Sequence, residues 1–253
     1  MLPENDNRYF GKDLEAMAVA RNYYDWIVSE ISPFLGQTVA EVGAGCGHLS
    51  KLLLKSERSH VYAFEPSPNM FGLLQQAVRS EPRVTAVRGV LRSYAAGVLF
   101  DTVIYINVLE HVCDDAAELK TAFQVLAPGG FLIVFAPALK GLYSDFDRQI
   151  GHFRRYSRKE LKNLVERSGF TIINSKYFDF AGILPWFLHF VLFKGGMKGG
   201  EVSLYDKLVI PLVRILESRM PPLIGKNVLC VAKKPRLVNE GECDGGSREE
   251  KPG

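Results

Sequence analysis

The stretch at residues 39–48 constrains the fold of this chain more than any other part of the sequence. An apolar run ends there at Glu41 and Val42, and glycines then alternate at positions 43, 45 and 47. An apolar pattern with helical spacing follows from Leu49. This order is typical of a buried strand, a tight turn and the start of a helix. Glycines let the backbone approach a ligand closely, and the first turn of a helix offers free N–H groups.

The spacing of these glycines distinguishes between two adenosine-type cofactors. The dinucleotide fingerprint is G-x-G-x-x-G, and its third glycine would fall at position 48. This chain has G-x-G-x-G and carries His48 there. The spacing therefore disfavours NAD as the ligand of this turn.

A carboxylate follows the turn at the end of the next predicted strand. Glu65 closes the apolar run at 61–64. A carboxylate in this place can accept hydrogen bonds from both hydroxyls of an adenosine ribose. The competing interpretation is a solvent-exposed Glu at a strand end.

Strand and helix signals alternate from residue 39 onward, which predicts a parallel sheet with both faces covered by helices. Beyond the first strand, apolar runs predict strands at 61–65, 84–87, 101–106, 131–136, 170–178 and 227–232. Helical spacing predicts helices at 70–78, 116–126, 159–168 and 204–220, and one or two within 13–34. An apolar run at 180–193 is shorter than the ~20 residues that span a bilayer, and Pro185 and His189 interrupt it.

Composition narrows the classes of function. The formal net charge of +3 and the isoelectric point near 8.6 are too mild to indicate a nucleic-acid partner. The cysteines show no C-x-x-C spacing, so no disulfide framework and no metal site are expected from Cys46, Cys113, Cys230 and Cys243. The polar residues 1–10 lack the apolar core of a signal peptide. We therefore expect a reduced, cytoplasmic location.

Four segments in the same order resemble the class I S-adenosylmethionine (SAM) methyltransferases. They are the glycine turn, the strand and its continuation at 100–112, the Pro-Gly-Gly turn and strand at 126–134, and the segment 151–170, which recurs in a bacterial branch acting on small-molecule or lipid-linked acceptors. The resemblance implies an α/β, Rossmann-like, seven-stranded, mostly parallel sheet whose last strand is antiparallel, plus a helical cap insertion. The implied domains are N-terminal helices at 1–36, a SAM-binding core at 37–178, the insertion at 179–225, the last core strand at 226–234 and a disordered tail at 235–253.

The resemblance also assigns cofactor-binding residues by position. It places the following near SAM: Glu41, Gly43, Gly45, Gly47, Glu65, Pro66, Met70, Val90, Leu91 and Asn107. Glu41 would brace the turn or meet the amino-acid part of SAM. One departure concerns the adenine, because many members carry an acidic residue after the third strand and this chain has none at 88–93. Backbone groups near Val90 and Leu91, or the Ser93 hydroxyl, are the remaining candidates.

Two histidines are candidate catalytic residues. His111 follows the fourth strand and His152 follows the fifth, and an unperturbed histidine pKa of about 6.5 suits a base. The candidate acceptor-binding residues are Asp147, Arg154, Arg155 and Tyr156 beside His152, and Trp186 in the insertion. The alternatives are that His111 is a packing residue, that the 147–156 group anchors a loop, and that methyl transfer proceeds by alignment alone.

The sequence thus predicts a SAM-dependent methyltransferase acting on a small, partly hydrophobic or lipid-linked acceptor. The alternatives are a NAD-binding oxidoreductase and a non-catalytic partner subunit with the same fold. The aromatic insertion is interpreted as a cap over an apolar acceptor, with a peripheral membrane contact through 180–193 as the competing interpretation. The oligomeric state cannot be read from the sequence.

Overall fold

The computed structural model of the chain describes residues 17, 19–55, 59–94, 97, 99–195 and 199–236. Most of the predicted tail, and the predicted N-terminal helical segment before residue 17, lie outside these residues.

Seven strands form one sheet in the order β3-β2-β1-β4-β5-β7-β6. Strand β7 runs antiparallel to β5 and β6, and the other neighbouring pairs are parallel. The predicted fold class is therefore confirmed. The strands are β1 Thr38–Val42, β2 His60–Glu65, β3 Val84–Arg88, β4 Phe100–Ile106, β5 Leu126–Pro137, β6 Thr171–Phe178 and β7 Asn227–Lys233.

Helices cover both faces of this sheet. They are α1 Arg21–Ile31, α2 His48–Leu53, α3 Pro68–Val78, α4 Asp115–Val125, α5 Asp145–Gln149, α6 Arg158–Arg167, α7 Ile183–Trp186, α8 Gly199–Leu208 and α9 Ile210–Arg219. Helix α7 continues as a π-helix over Phe187–Leu192, and Leu91–Ser93 and Leu109–His111 form 3-10 turns. Hydroxyl and carboxylate side chains cap α4, α5 and α6, which explains why these helices begin where they do.

Two apolar layers flank the sheet because successive strand residues point to opposite faces. One layer joins Val39 and Ile104 of the sheet to α1, α2, α3 and the start of α9. The other joins Ala40 and Val103 to α4 and α6. In the first layer the Trp26 ring of α1 stacks on the Phe178 ring of β6, with 3.7 Å between the ring centroids.

Two predicted boundaries differ from the structure. Strand β5 begins at Leu126 rather than at 131, and its pairing with β4 shifts register over the Pro-Gly-Gly turn. The single helix predicted over 204–220 is wrong, because α8 ends at Leu208 and α9 starts at Ile210. Pro211 explains the break, since proline has no N–H for a helix interior but fits the first turn of a new helix.

Asp206 fixes the insertion at 179–225 onto the core, and Glu217 joins the two ends of the insertion. Asp206 of α8 accepts hydrogen bonds from the backbone N–H groups of Asn22 and Tyr23, at 3.1 and 2.8 Å. Glu217 of α9 accepts the backbone N–H of Phe180 at 2.8 Å. The Asp206 bonds satisfy N–H groups in the first turn of α1, where no helical partner exists.

Candidate functional site

The glycine turn follows β1 and has the backbone conformation that its glycines allow. Gly43, Gly45 and Gly47 have φ angles of +70°, +57° and +79°. Residues with a side chain rarely adopt such values, so each substitution would strain the turn. Helix α2 begins immediately after Gly47, so its first N–H groups lie next to the turn.

Two of these glycines are required by contacts within the chain itself. A Cβ atom on Gly43 would lie 2.6 Å from Cγ2 of Val108, and one on Gly47 would lie 2.8 Å from Cδ1 of Leu74. The space that these glycines leave is therefore occupied by side chains of the core. Gly45 differs, because its backbone N–H is directed at a carboxylate.

That carboxylate is Glu65, at the end of β2. Its Oε2 accepts the N–H of Gly45 and its Oε1 accepts the N–H of Ser67, each at 2.8 Å. Burial raises the pKa of Glu65 above its ordinary value, and these two N–H bonds partly offset that effect. Each oxygen keeps a further lone pair. Glu65 could therefore hold the two hydroxyls of a ribose against the turn.

Glu41 braces the turn from within the core. It is buried, and Ser50 of α2 donates its hydroxyl to Oε2 at 2.5 Å. Burial raises the pKa of Glu41 to about 8, and the charge of Glu65 adds to this effect. This contact fits the bracing role better than a direct contact with an ammonium group.

Other sequence-predicted cofactor residues surround the same edge of the sheet. Asn107 follows β4 with a left-handed φ of +53°, a strained conformation of the kind that clusters at functional sites. Pro66 and Val90 are exposed, whereas Met70 and Leu91 are buried. These positions could border a nucleoside held by Glu65.

Ser93 is the remaining side chain considered for the adenine contact. Its hydroxyl donates to the carbonyl oxygen of Val90 at 2.7 Å. The hydroxyl proton is thus used within the 3-10 turn, which leaves its oxygen as an acceptor.

A second group of polar side chains is buried between β4 and the 138–156 segment, and Asp147 is at its centre. Arg155 donates to both carboxylate oxygens, from Nε at 3.0 Å and from Nη2 at 3.1 Å. Ser144 donates its N–H and its hydroxyl, both at 2.9 Å. Burial alone would raise the pKa of Asp147, but the His152 hydrogen bond and the Arg155 charge outweigh it and leave the pKa below its ordinary value.

The two candidate histidines lie together beside this carboxylate. His152 shares a hydrogen bond of 2.8 Å with Asp147 through Nδ1, and its Nε2 lies 3.8 Å from Oε1 of Glu110. The ring centroids of His111 and His152 are 4.5 Å apart. Burial and the neighbouring His152 lower the pKa of His111 to about 3, and burial raises that of Glu110 to about 7. His111 is therefore a weak base.

The predicted acceptor-binding residues are mostly engaged with one another. Arg154 donates to Asp115 at 2.7 Å, and the Tyr156 hydroxyl donates to the same carboxylate at 2.8 Å. The Arg155 guanidinium lies 4.7 Å from the ring centroid of Trp186. These contacts favour an anchoring role over direct contact with an acceptor. The sequence reasoning did not identify Asp115 and Glu110 as residues of this group. Only His111, which follows Glu110 directly, indicated a polar site there.

Comparison with known proteins identifies the family. The profile of the methyltransferase domain family matches residues 17–175. The chain belongs to this methyltransferase family. This family belongs to the class I SAM-dependent methyltransferases.

Relatives and solved structures agree with this assignment. A ubiquinone biosynthesis O-methyltransferase of Xylella fastidiosa is 31% identical over 128 residues, which cover 49% of this methyltransferase and 50% of that enzyme. The chain thus spans about half the length of that relative. An uncharacterized methyltransferase of Oceanobacillus iheyensis is 27% identical over 176 residues, covering 68% of this chain and 80% of that one.

The fold is similar to that of phosphoethanolamine N-methyltransferase 2 of Haemonchus contortus, solved with SAM. The TM-score is 0.63 at 16% identity, over 92% of this methyltransferase and 61% of that chain. The glycine turn and the Glu65 carboxylate, which meet through the Gly45 N–H, fit an adenosine-type donor.

The buried ion pair gives a stability prediction for this methyltransferase. Asp147→Asn would leave Arg155 buried without its counter-charge, so we expect the free energy of unfolding to fall by roughly 3–5 kcal/mol in a denaturant titration. Asp145→Asn is the matched control on the same helix, because Asp145 pairs at the surface with Arg148 and should change stability little. Equal midpoints for the two variants would contradict the importance of the buried pair.

Proposed function

We propose that this methyltransferase transfers the methyl group of SAM to a small, partly hydrophobic or lipid-linked acceptor. In this proposal residues 37–178 bind SAM, and the insertion at 179–225 caps the acceptor and rests on a lipid surface. The relatives named O-methyltransferases favour oxygen as the acceptor atom. The observation that carries the proposal is the apolar surface of the insertion, on both its inner and its outer side.

The inner side borders an apolar cavity. A cavity of about 210 Å³ lies between part of the insertion and α1. Its apolar lining includes Tyr23, Trp186, Phe190, Tyr205 and Ile210. Pockets for small molecules are typically concave and apolar with a few polar groups, and Asp206 and Lys226 supply such groups here. This cavity supports the cap interpretation. A larger cavity of about 630 Å³ lies at the edge strand β6, four strands from β1, and is not part of this proposal.

The outer side exposes large apolar residues to solvent. On α9, Leu212, Ile215 and Leu216 share one face, each with more than half its surface exposed. Elsewhere in the insertion, more than half of the surface is also exposed for Leu184, Leu192, Phe193, Leu204, Leu208, Met220, Leu223 and Ile224. Apolar patches of this kind mark interaction sites rather than ordinary protein surface.

Basic side chains lie among these apolar residues. Lys194, Lys207, Arg214 and Arg219 are all exposed. An apolar face with Lys and Arg at its border is typical of segments that lie in the interface of an anionic bilayer. No helix in the described part of the chain is long and apolar enough to cross a membrane. A surface contact is therefore the form of lipid association that we propose.

Catalysis in this proposal depends mainly on placement. Bound SAM supplies a methyl group on a positively charged sulfur. Glu65 and the glycine turn hold the adenosine part, and the insertion excludes water from the acceptor. His152 takes up a proton at its Nε2 atom. Alignment of this kind accounts for a large share of rate acceleration in two-substrate reactions.

Cofactor binding provides the first test. We expect Glu65→Ala to weaken SAM binding by roughly 1.5–3 kcal/mol, because hydrogen bonds to a charged group are lost. Isothermal titration calorimetry measures this, with Glu81→Ala in the loop before β3 as a control that should bind like wild type. Unchanged affinity in a folded Glu65→Ala protein would show that Glu65 is only a structural carboxylate.

Turnover provides the second test. With an acceptor assigned by mass spectrometry, we expect His152→Ala to lower turnover at saturating SAM roughly 10²-fold or more. His60→Ala should not, since His60 pairs with Thr85 at the surface. Wild-type rates in both His152→Ala and His111→Ala would mean that alignment alone drives the reaction.

Vesicle binding provides the third test. We expect the protein to float with vesicles that contain phosphatidylglycerol and less with pure phosphatidylcholine, because the basic residues need anionic lipid. Combined Leu212→Ser, Ile215→Ser and Leu216→Ser should weaken vesicle binding at least tenfold, because the loss of even one fully buried side chain, at about 1.5–3 kcal/mol, corresponds to a change of about tenfold or more. Leu73→Ser on α3 removes an exposed leucine from the core domain and serves as the control. A wild-type protein that stays with the aqueous fraction would contradict the lipid contact.

A further inference from the structure

Three side chains next to the fourth strand have the donor set and the spacing of a metal site. Glu110, His111 and His152 each offer one ligand atom, and these atoms all lie within 4.8 Å of one another. The group contains no cysteine, so the absence of C-x-x-C spacing does not argue against a metal site here. Its members come from two segments that the fold brings together, at 109–111 and 144–156.

The carboxylate of Glu110 lacks the partners that a buried charge requires. The residue has no solvent exposure, and neither carboxylate oxygen accepts a hydrogen bond in the described part of the chain. The N–H of its own backbone is near but does not have the geometry of a hydrogen bond. Buried carboxylates are normally paired, hydrogen-bonded or bound to a metal, so this arrangement needs an explanation.

His152 is held in the orientation of a metal ligand. Asp147 accepts hydrogen bonds from Arg155 and Ser144 and acts only as an acceptor, so the proton between Asp147 and His152 belongs to Nδ1 of the histidine. The nitrogen that remains is Nε2, and it lies 3.8 Å from Oε1 of Glu110. Histidine ligands of metals almost always donate their other N–H to a carboxylate or carbonyl in this way.

His111 completes the group from the other side. Its ring is nearly perpendicular to that of His152, at an interplanar angle of 80°. A hydrogen bond with the backbone of Gly151 orients the ring. Gly151 has a φ of +86°, a value that glycine adopts without strain. Two histidines are thus directed toward one buried carboxylate, each by a hydrogen bond to a neighbouring group.

We propose that Glu110, His111 and His152 bind a divalent transition-metal ion of the zinc type. Two histidines and a glutamate are a known zinc donor set, and three protein ligands leave the fourth tetrahedral position open to water or an acceptor oxygen. Ligands of tetrahedral zinc lie about 3.4 Å apart, given bonds of about 2.1 Å. The separation between Oε1 and Nε2 is 3.8 Å and all three ligand atoms lie within 4.8 Å of one another, so side-chain rotations must bring them closer to bind the ion. The Nε2 atom of His152 that acts in the proposed function is then a metal ligand, so the loss of turnover expected for His152→Ala remains, with loss of the ion as its cause.

The test measures metal binding and does not depend on the acceptor or on turnover. Untagged protein is stripped with a chelator, equilibrated with Zn²⁺ and freed of excess ion, and its zinc content is measured by mass spectrometry. We expect one zinc per chain in the wild type and at least tenfold weaker binding in Glu110→Gln and in His152→Ala. His189→Ala is the matched control and should bind like wild type, because His189 faces Glu201 in a histidine–carboxylate pair in the insertion.

Cobalt gives a second readout that needs no variant. Co²⁺ bound to the wild type should show the intense visible bands of tetrahedral coordination, without the charge-transfer bands of thiolate ligands. Wild-type protein that retains no Zn²⁺ and leaves the aqueous Co²⁺ spectrum unchanged would overturn the proposal. Thiolate bands, or equal zinc content in a folded Glu110→Gln protein, would also overturn it. If Glu110→Gln does not fold by circular dichroism, the wild-type cobalt spectrum decides the question.

Discussion

The hydrogen bonds from Gly45 and Ser67 to the buried carboxylate of Glu65 join the ends of the first two strands, and the edge of the sheet at which we propose that SAM binds depends on them. Strands β1 and β2 run parallel and in register up to Val42 and Phe64, so their following residues emerge side by side. The Gly45 N–H would otherwise be a buried donor without a partner, which is costly. One carboxylate thus fixes the turn before any ligand arrives and retains lone pairs for it. A site organised in advance spends less binding free energy on ordering.

The second organising element is the ion pair of Asp147 and Arg155, which connects the histidines to the insertion. Asp147 orients His152, and the Arg155 guanidinium that binds Asp147 also lies over the ring of Trp186. The indole N–H of Trp186 donates to the carbonyl oxygen of Leu142. Asp206 holds the same insertion to α1. The insertion is therefore positioned by buried polar contacts on its inner side, which leaves its outer apolar side chains available for a different surface.

Much of the fold follows from patterns that the sequence displays directly. All seven strands were predicted. The central parallel strands β1, β2 and β4 carry nearly continuous apolar runs because both of their faces are buried. The errors occur where the same residues are compatible with two different local structures. Pro-Gly-Gly at 128–130 indicates a helix stop, but β5 has already begun at Leu126. Pro211 lies inside an apolar helical pattern and restarts the helix instead of belonging to it.

The site was less accessible to sequence reasoning, for a physical reason. The glycine turn and Glu65 have fixed spacing along adjacent strands, so their meeting is predictable from a parallel sheet. The network around Asp147 depends on a loop that brings Glu110 to His152, and no periodicity encodes that contact. The two arginines and the tyrosine at 154–156 have side chains that suit an acceptor site, and in the structure they hydrogen-bond to the carboxylates of Asp115 and Asp147. Burial separates these roles, and burial of a polar residue is not visible in a sequence pattern.

The most direct test of the central claim is the fate of the methyl group. The methyltransferase is incubated with SAM carrying a deuterated methyl group, in the presence of a lipid extract and a set of water-soluble acceptors, and the products are separated into organic and aqueous phases for mass spectrometry. The account predicts a deuteriomethylated product in the organic phase, formed at least about tenfold more slowly by Glu65→Ala when SAM is well below saturation. Label found only in water-soluble products would contradict it.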